Sequence, residues 1–138
     1  LGAGLGPYGG AELLERAAAN TTLCAAAAGV GVLAAFRALG PSWATPAQCI
    51  SAAVGGCAAA GALGGVAEPW AAVLTGLAVP AVYLGSSAGL RRLRVDDPAD
   101  TVSLHGACGA WGVVAAGLFA EPDWAVSAFP RRPGGAGG

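Results

Sequence analysis

The sequence predicts an all-α fold, a polytopic membrane helix bundle with four transmembrane helices. Three observations lead there. Of 138 residues, 55% are apolar and only 11% charged, whereas ordinary soluble domains carry about 25% charged residues. The charges gather at the edges of apolar runs of about twenty residues, each roughly 30 Å long as a helix, the thickness of a hydrocarbon core. The runs are rich in Gly and Ala, small residues that let helices approach closely where apolar burial supplies little driving force.

Each element has its own warrant. Residues 1–10 are Gly- and Pro-rich and read as loop. A helix starts near Ala11, with Glu12 and Glu15 in the first turns, where acids suit the helix dipole. Its apolar part covers about 17–36; Arg37 follows, and Gly40-Pro41 stops it. Trp43 in the next loop suits a membrane interface. The second run, about 47–67, has no charge, and its Gly61/Gly65 spacing suggests a backbone-to-backbone helix contact. Glu68-Pro69-Trp70 predicts a tight reversal into the third run, about 70–90. Pro80 within that run predicts a kink, and Gly85/Gly89 repeat the small-residue spacing. Arg91, Arg92 and Arg94 then precede Asp96, Asp97 and Asp100. The acids read as caps and as partners for these arginines, with Asp100 the N-cap of the fourth run, 101–120. Residues 121–138 are polar and Gly- and Pro-rich, and read as an external loop.

Charge placement orients the chain. There is no lysine; all seven basic residues are arginines. Alternation puts the 37–46 and 90–100 loops, with Arg37, Arg91, Arg92 and Arg94, on one side. The positive-inside rule makes that side cytoplasmic. A net charge of −1 leaves no footprint for nucleic acid. Cys24, Cys49, Cys57 and Cys108 form no Cys-x-x-Cys pair and read as small buried residues. No metal set, no cofactor motif, no nucleophile–base pair and no carboxylate pair within a run is found, which argues against an enzyme. Nothing at the start reads as a signal peptide, and without an initiator Met the chain reads as an internal segment.

The single histidine, His105, lies in the fourth run, where residues 101–120 hold no Asp, Glu, Lys or Arg. An ionisable group inside a spanning segment is costly and marks a site by default. At steps of four, three and four, His105, Gly109, Gly112 and Ala116 fall on one helix face. The small residues leave room for a narrow lumen or for a close helix partner. The plainer alternative is a histidine bonded to a neighbouring backbone carbonyl. His105 also lies only about 7–8 Å along a helix from Asp100. A mid-membrane role therefore needs the acid cluster recessed in a vestibule, or a helix that begins inside the bilayer.

Asp96-Asp97-Pro98 followed by Leu104-His105-Gly106-Ala107-Cys108-Gly109-Ala110-Trp111-Gly112 resembles the ammonium transporter branch of the Amt/Mep/Rh superfamily, nearest its plant and algal type. Thr21-Thr22-Leu23 and Glu68-Pro69-Trp70-Ala71-Ala72 are similar to that branch as well, and the resemblance covers nearly the whole chain. It implies part of an eleven-helix fold of two inverted five-helix halves and a last helix, assembled as a homotrimer in a membrane, the plasma membrane, with one pore per subunit. The four runs would be its seventh to tenth helices. His105 would be one of two pore histidines, the other lying outside this chain, and ammonium or ammonia would be the substrate. Where the family carries a threonine at the outer recruitment site, this chain places Gly61.

Ammonium is a small cation with four donors, and an apolar wall cannot solvate it. It must shed its proton or meet acceptors and π-faces along the path. A neutral imidazole accepts from ammonium or ammonia at one nitrogen and donates at the other, and two linked imidazoles can relay a proton. His105 is accordingly assigned to substrate coordination and proton relay. Two other readings compete: an ammonium sensor or receptor of the same fold, and a non-conducting structural membrane fragment.

Overall fold

The computed structural model describes residues 10–40, 45–95 and 100–123. The expectations placed on Pro41, Trp43, Asp96, Asp97 and the loop beyond residue 123 lie outside the described residues. Among the described residues, four segments are long and apolar enough to cross a membrane. Helix α1 is Gly10–Leu39, α2 is Pro46–Leu63 and α3 is Pro69–Arg92. The fourth rod opens as a π-helical stretch, Val102–Ala107, and continues as α4, Cys108–Phe119.

The ends follow from local chemistry. Gly40 ends α1 with φ 95°, a conformation open to glycine, and its N–H donates to Phe36 O at 3.1 Å. At the start of α2, Gln48 Oε1 accepts from Thr45 N at 2.7 Å, and Pro46 stands where a missing N–H does no harm. α2 stops at Leu63, short of the expected end near 67. Asn20 of α1 takes the carbonyls of Gly64 and Ala67 at 2.9 and 2.8 Å, which gives the turn partners that a longer helix would have supplied. α3 is continuous through Pro80, whose ring faces Gly31: a Cβ there would stand 2.9 Å from Pro80 Cγ.

The rods alternate in direction. Arg16 faces Glu68 at 3.6 Å, and Trp70 meets Phe119 edge to face at 5.6 Å between ring centroids. Glu121 N donates to Val66 O at 3.0 Å beside an isolated bridge between Ala67 and Ala120. These contacts, with those of Asn20, gather the start of α1, the end of α2, the start of α3 and the end of α4 at one end of the bundle. The arginines Arg37, Arg91 and Arg92 stand toward the other.

The core is made of small side chains. Cys24, Ala28, Ala59, Ala60, Ala71, Ala72 and Ala115 are buried, joined by Leu63, Val79 and Tyr83. Backbones therefore approach closely, but at other glycines than the spacing suggests. A Cβ at Gly56 would stand 2.8 Å from Cys24 O, and one at Gly76 would collide with the same carbonyl. Gly61, Gly65, Gly85 and Gly89 have nothing within 4 Å, so neither Gly-x-x-x-Gly pair forms a helix contact among the described residues. The reason is rotational phase. Ile50, Val54, Cys57 and Gly61 follow one another at helical spacing on the exposed face of α2. The same phase corrects the cysteines: Cys24 and Cys108 are buried, Cys49 is half-buried and Cys57 is exposed.

Candidate functional site

His105 stands in the middle of the π-helical stretch, not in the regular helix that the pattern suggests. The Cys108 N–H reaches back to the Ser103 carbonyl, five residues earlier, as well as to His105 O. Such i→i+5 winding is rare and recurs at functional sites. Small neighbours on the chain, Gly106 and Ala107, leave the wider turn uncrowded: a Cβ at Gly106 would have only Val102 Cγ1 near, at 3.8 Å.

The stretch is held from both sides. Before it, Asp100 lies in the left-handed region at φ 50°. Its Oδ2 accepts from the Tyr83 hydroxyl at 2.9 Å and its Oδ1 from the Ser87 hydroxyl at 3.0 Å. This corrects two expectations. Asp100 is not the side-chain N-cap, since the residue in that position is Thr101 and no side-chain cap bond forms. Its carboxylate is bonded to hydroxyls of α3 rather than capping or binding the arginines. The Asp100 carbonyl still accepts from Leu104 N at 2.8 Å. After the stretch, Cys108 lies against α2, where a Cβ on Gly55 would be 3.0 Å from its sulfur. Gly112 lies against the Ala59 backbone, and Trp111 Nε1 donates to Thr75 O at 3.2 Å.

This geometry divides the expected face. His105 and Gly106 are exposed, and Gly109 is half-buried with nothing within 4 Å of where a Cβ would be. Gly112 is buried against α2, and Ala116 packs on the core. The buried stripe runs instead through Leu104, Cys108, Gly112 and Ala115. The extra residue of the π turn rotates His105 out of that stripe. The imidazole thus faces away from α2 and α3, on a side that none of the described helices covers.

Near the arginine-bearing end, a cavity of about 720 Å³ opens between α2 and α3, lined by Gln48, Ser51, Tyr83, Ser87, Arg91 and Asp100 among others. Nothing in the sequence pattern marks Tyr83 or Ser87 as site residues. The available signal was two hydroxyl side chains one helical turn apart in an apolar run. No group of three or more His, Cys, Asp or Glu side chains among the described residues is placed to hold a metal.

Comparison with known proteins adds a further set of findings. The profile of the Ammonium Transporter Family matches residues 5–133. Ammonium transporter 1 member 1 of Solanum lycopersicum is 36% identical over 133 residues, 96% of this chain and 27% of that protein. Ammonium transporter 1 member 4 of Arabidopsis thaliana is 36% identical over 131 residues, 93% of this chain and 26% of that protein. Ammonium transporter 1 member 2 of Oryza sativa subsp. japonica is 36% identical over 130 residues. The chain spans about a quarter of the length of these relatives. No solved structure matches it.

Proposed function

The chain belongs to the ammonium transporter family, and on that premise we propose that it forms part of the second half of an ammonium channel, with His105 as a pore histidine. The observation that carries this reading is the position of His105. It is an ionisable side chain within an otherwise uncharged span, exposed on a face left open by Gly106 and Gly109. In a longer chain the other half of the fold would cover that face and enclose a lumen. A buried charge there would be costly, and a neutral acceptor is what a small, partly dehydrated nitrogen solute requires.

The chemistry follows from the residues. One ring nitrogen of His105 accepts from ammonium or ammonia, and the other donates to a second imidazole from elsewhere in the protein. Proton exchange along that pair lets the solute cross in neutral form. Gly109 leaves the wall beside the ring open and featureless, while Gly112 and Ala116 seat the helix on its neighbours. Chemical catalysis has no role here, and the chain is read as a transporter segment rather than an enzyme. The arginine-bearing end faces the cytoplasm and the Asn20 end faces outward. The protein is an integral membrane protein, and we place it in the plasma membrane as a homotrimer surrounded by lipid. At the outer end, Gly61 offers no hydroxyl to an incoming cation, so outer-site affinity is expected to be weak. A sensor of the same fold would bind ammonium through the same histidine without useful flux.

Growth of a transporter-deficient microbe on low ammonium tests the reading. The full-length protein should rescue growth, and its His105→Ala form should not, at equal membrane abundance. Equal rescue by both would remove His105 from the pore.

A further inference from the structure

We propose that Tyr83 and Ser87 are positioning residues for His105, acting through Asp100 to hold the histidine's helix in its π-wound register. The proposal rests on the reading of His105 as a pore group, and deepens it.

Two clamps bracket the π stretch. At its start, both carboxylate oxygens of Asp100 are engaged, one by Tyr83 at 2.9 Å and the other by Ser87 at 3.0 Å. Both donors are buried, with 1% and 5% of their surface exposed. They sit four residues apart on α3, one above the other on the same face, so a single carboxylate bridges them. Asp100 itself holds φ 50°, in the left-handed region that Asp tolerates better than most non-glycine residues, and so turns the chain sharply into the stretch. At the far end, Gly112 against Ala59 and Cys108 against Gly55 fix the phase of α4. A helix pinned at both ends must absorb any mismatch between them. The stretch Val102–Ala107 does so by taking one more residue per turn than an α-helix.

Two further observations indicate that the winding is imposed rather than preferred. The stretch leaves the Ser103 hydroxyl buried without a hydrogen-bond partner. It also ejects His105 from the buried stripe that Leu104 and Cys108 belong to. If the Asp100 clamp is released, the stretch relaxes toward α-helix while α4 stays seated. His105 then turns about the helix axis by part of one residue step, the full step being roughly 100°. A ring turned that far no longer presents its nitrogen to the same path. The clamp residues need not touch the solute for this to matter.

The test uses the full-length protein in lipid nanodiscs, with ¹⁵N-labelled histidine. The His105 ring signals are assigned by their loss in His105→Gln. The double variant Tyr83→Phe/Ser87→Ala removes both donors and keeps the aromatic ring. Thr22→Ala is the control, since that hydroxyl is exposed and bonds only its own helix, to Ala18 O at 2.9 Å. In the double variant the His105 signals should move well beyond the control. Maximal ammonium uptake should fall roughly 10- to 100-fold, the scale of a misplaced functional group, with KM changed less than about twofold. Ser87→Thr in the Tyr83→Phe background keeps one donor and should restore both readouts in large part. If the double variant does not reach the membrane, Tyr83→Phe alone serves, with a smaller displacement of the same sign. Unmoved His105 signals overturn the proposal whatever uptake does. So does normal uptake in the double variant if His105→Ala abolishes uptake. Moved signals with normal uptake in both the double variant and His105→Ala would instead refute the pore role and leave the clamp standing.

Discussion

Gly112 of α4 lies so close to Ala59 of α2 that a single methyl group added at Gly112 would overlap the Ala59 carbonyl. Three residues earlier on the same helix, Gly109 meets nothing within 4 Å. The two glycines therefore do different work, although their spacing from His105 makes them look alike.

Gly112→Ala should lower stability by about 1–3 kcal/mol, because backbone atoms rather than a flexible side-chain tip must yield. Gly109→Ala should leave folding unchanged or slightly improved, since Ala favours helix over Gly by up to about 1 kcal/mol. Thermal unfolding of the two variants in detergent checks the contrast. Equal melting temperatures would refute the seating of α4 on α2.

Asn20 ties α1 to the turn after α2 through two carbonyls, those of Gly64 and Ala67. Hydrogen bonds between membrane helices average about 0.6 kcal/mol, and the strongest approach 2. Asn20→Ala should thus cost about 1–3 kcal/mol. Asn20→Asp should cost more, because a carboxylate would face two carbonyl oxygens with no proton to share. The order of melting temperatures, Asn above Ala above Asp, is the expected result.

The glycine spacings give a third prediction. Gly61→Ala and Gly85→Ala should be neutral or mildly stabilising, within about 1 kcal/mol. Gly56→Ala and Gly76→Ala should destabilise, since their added methyls would press on Cys24 O and its neighbours. Expression and melting of the four variants separate these groups. Comparable loss at Gly61 would mean that a partner covers the exposed face of α2.

Much of the architecture was legible in the sequence because lipid demands it. Long apolar runs, Gly40 with its left-handed backbone and Pro69 at a helix start all follow from rules that act within a few residues. What was not legible depended on rotation. Gly56 and Gly76 look no different from Gly61 and Gly85 along the chain, and only the phase of each helix decides which meets a backbone. The π winding around His105 escaped for the same kind of reason. It arises from clamps at Asp100 and at Gly112 that belong to two different neighbouring helices. Asp100 read as a cap because an acid before an apolar run usually is one. Tyr83 and Ser87, seventeen and thirteen residues away, take its carboxylate instead.

The most direct measurement is ammonium flux through the purified full-length protein in proteoliposomes, with wild-type, His105→Ala and His105→Glu compared at equal protein density. Removing the one imidazole of this span should reduce flux by at least about tenfold in His105→Ala. His105→Glu, which puts a carboxylate on the same path, should change the discrimination between ammonium and potassium. Wild-type flux and wild-type selectivity in both variants would contradict a pore role for His105.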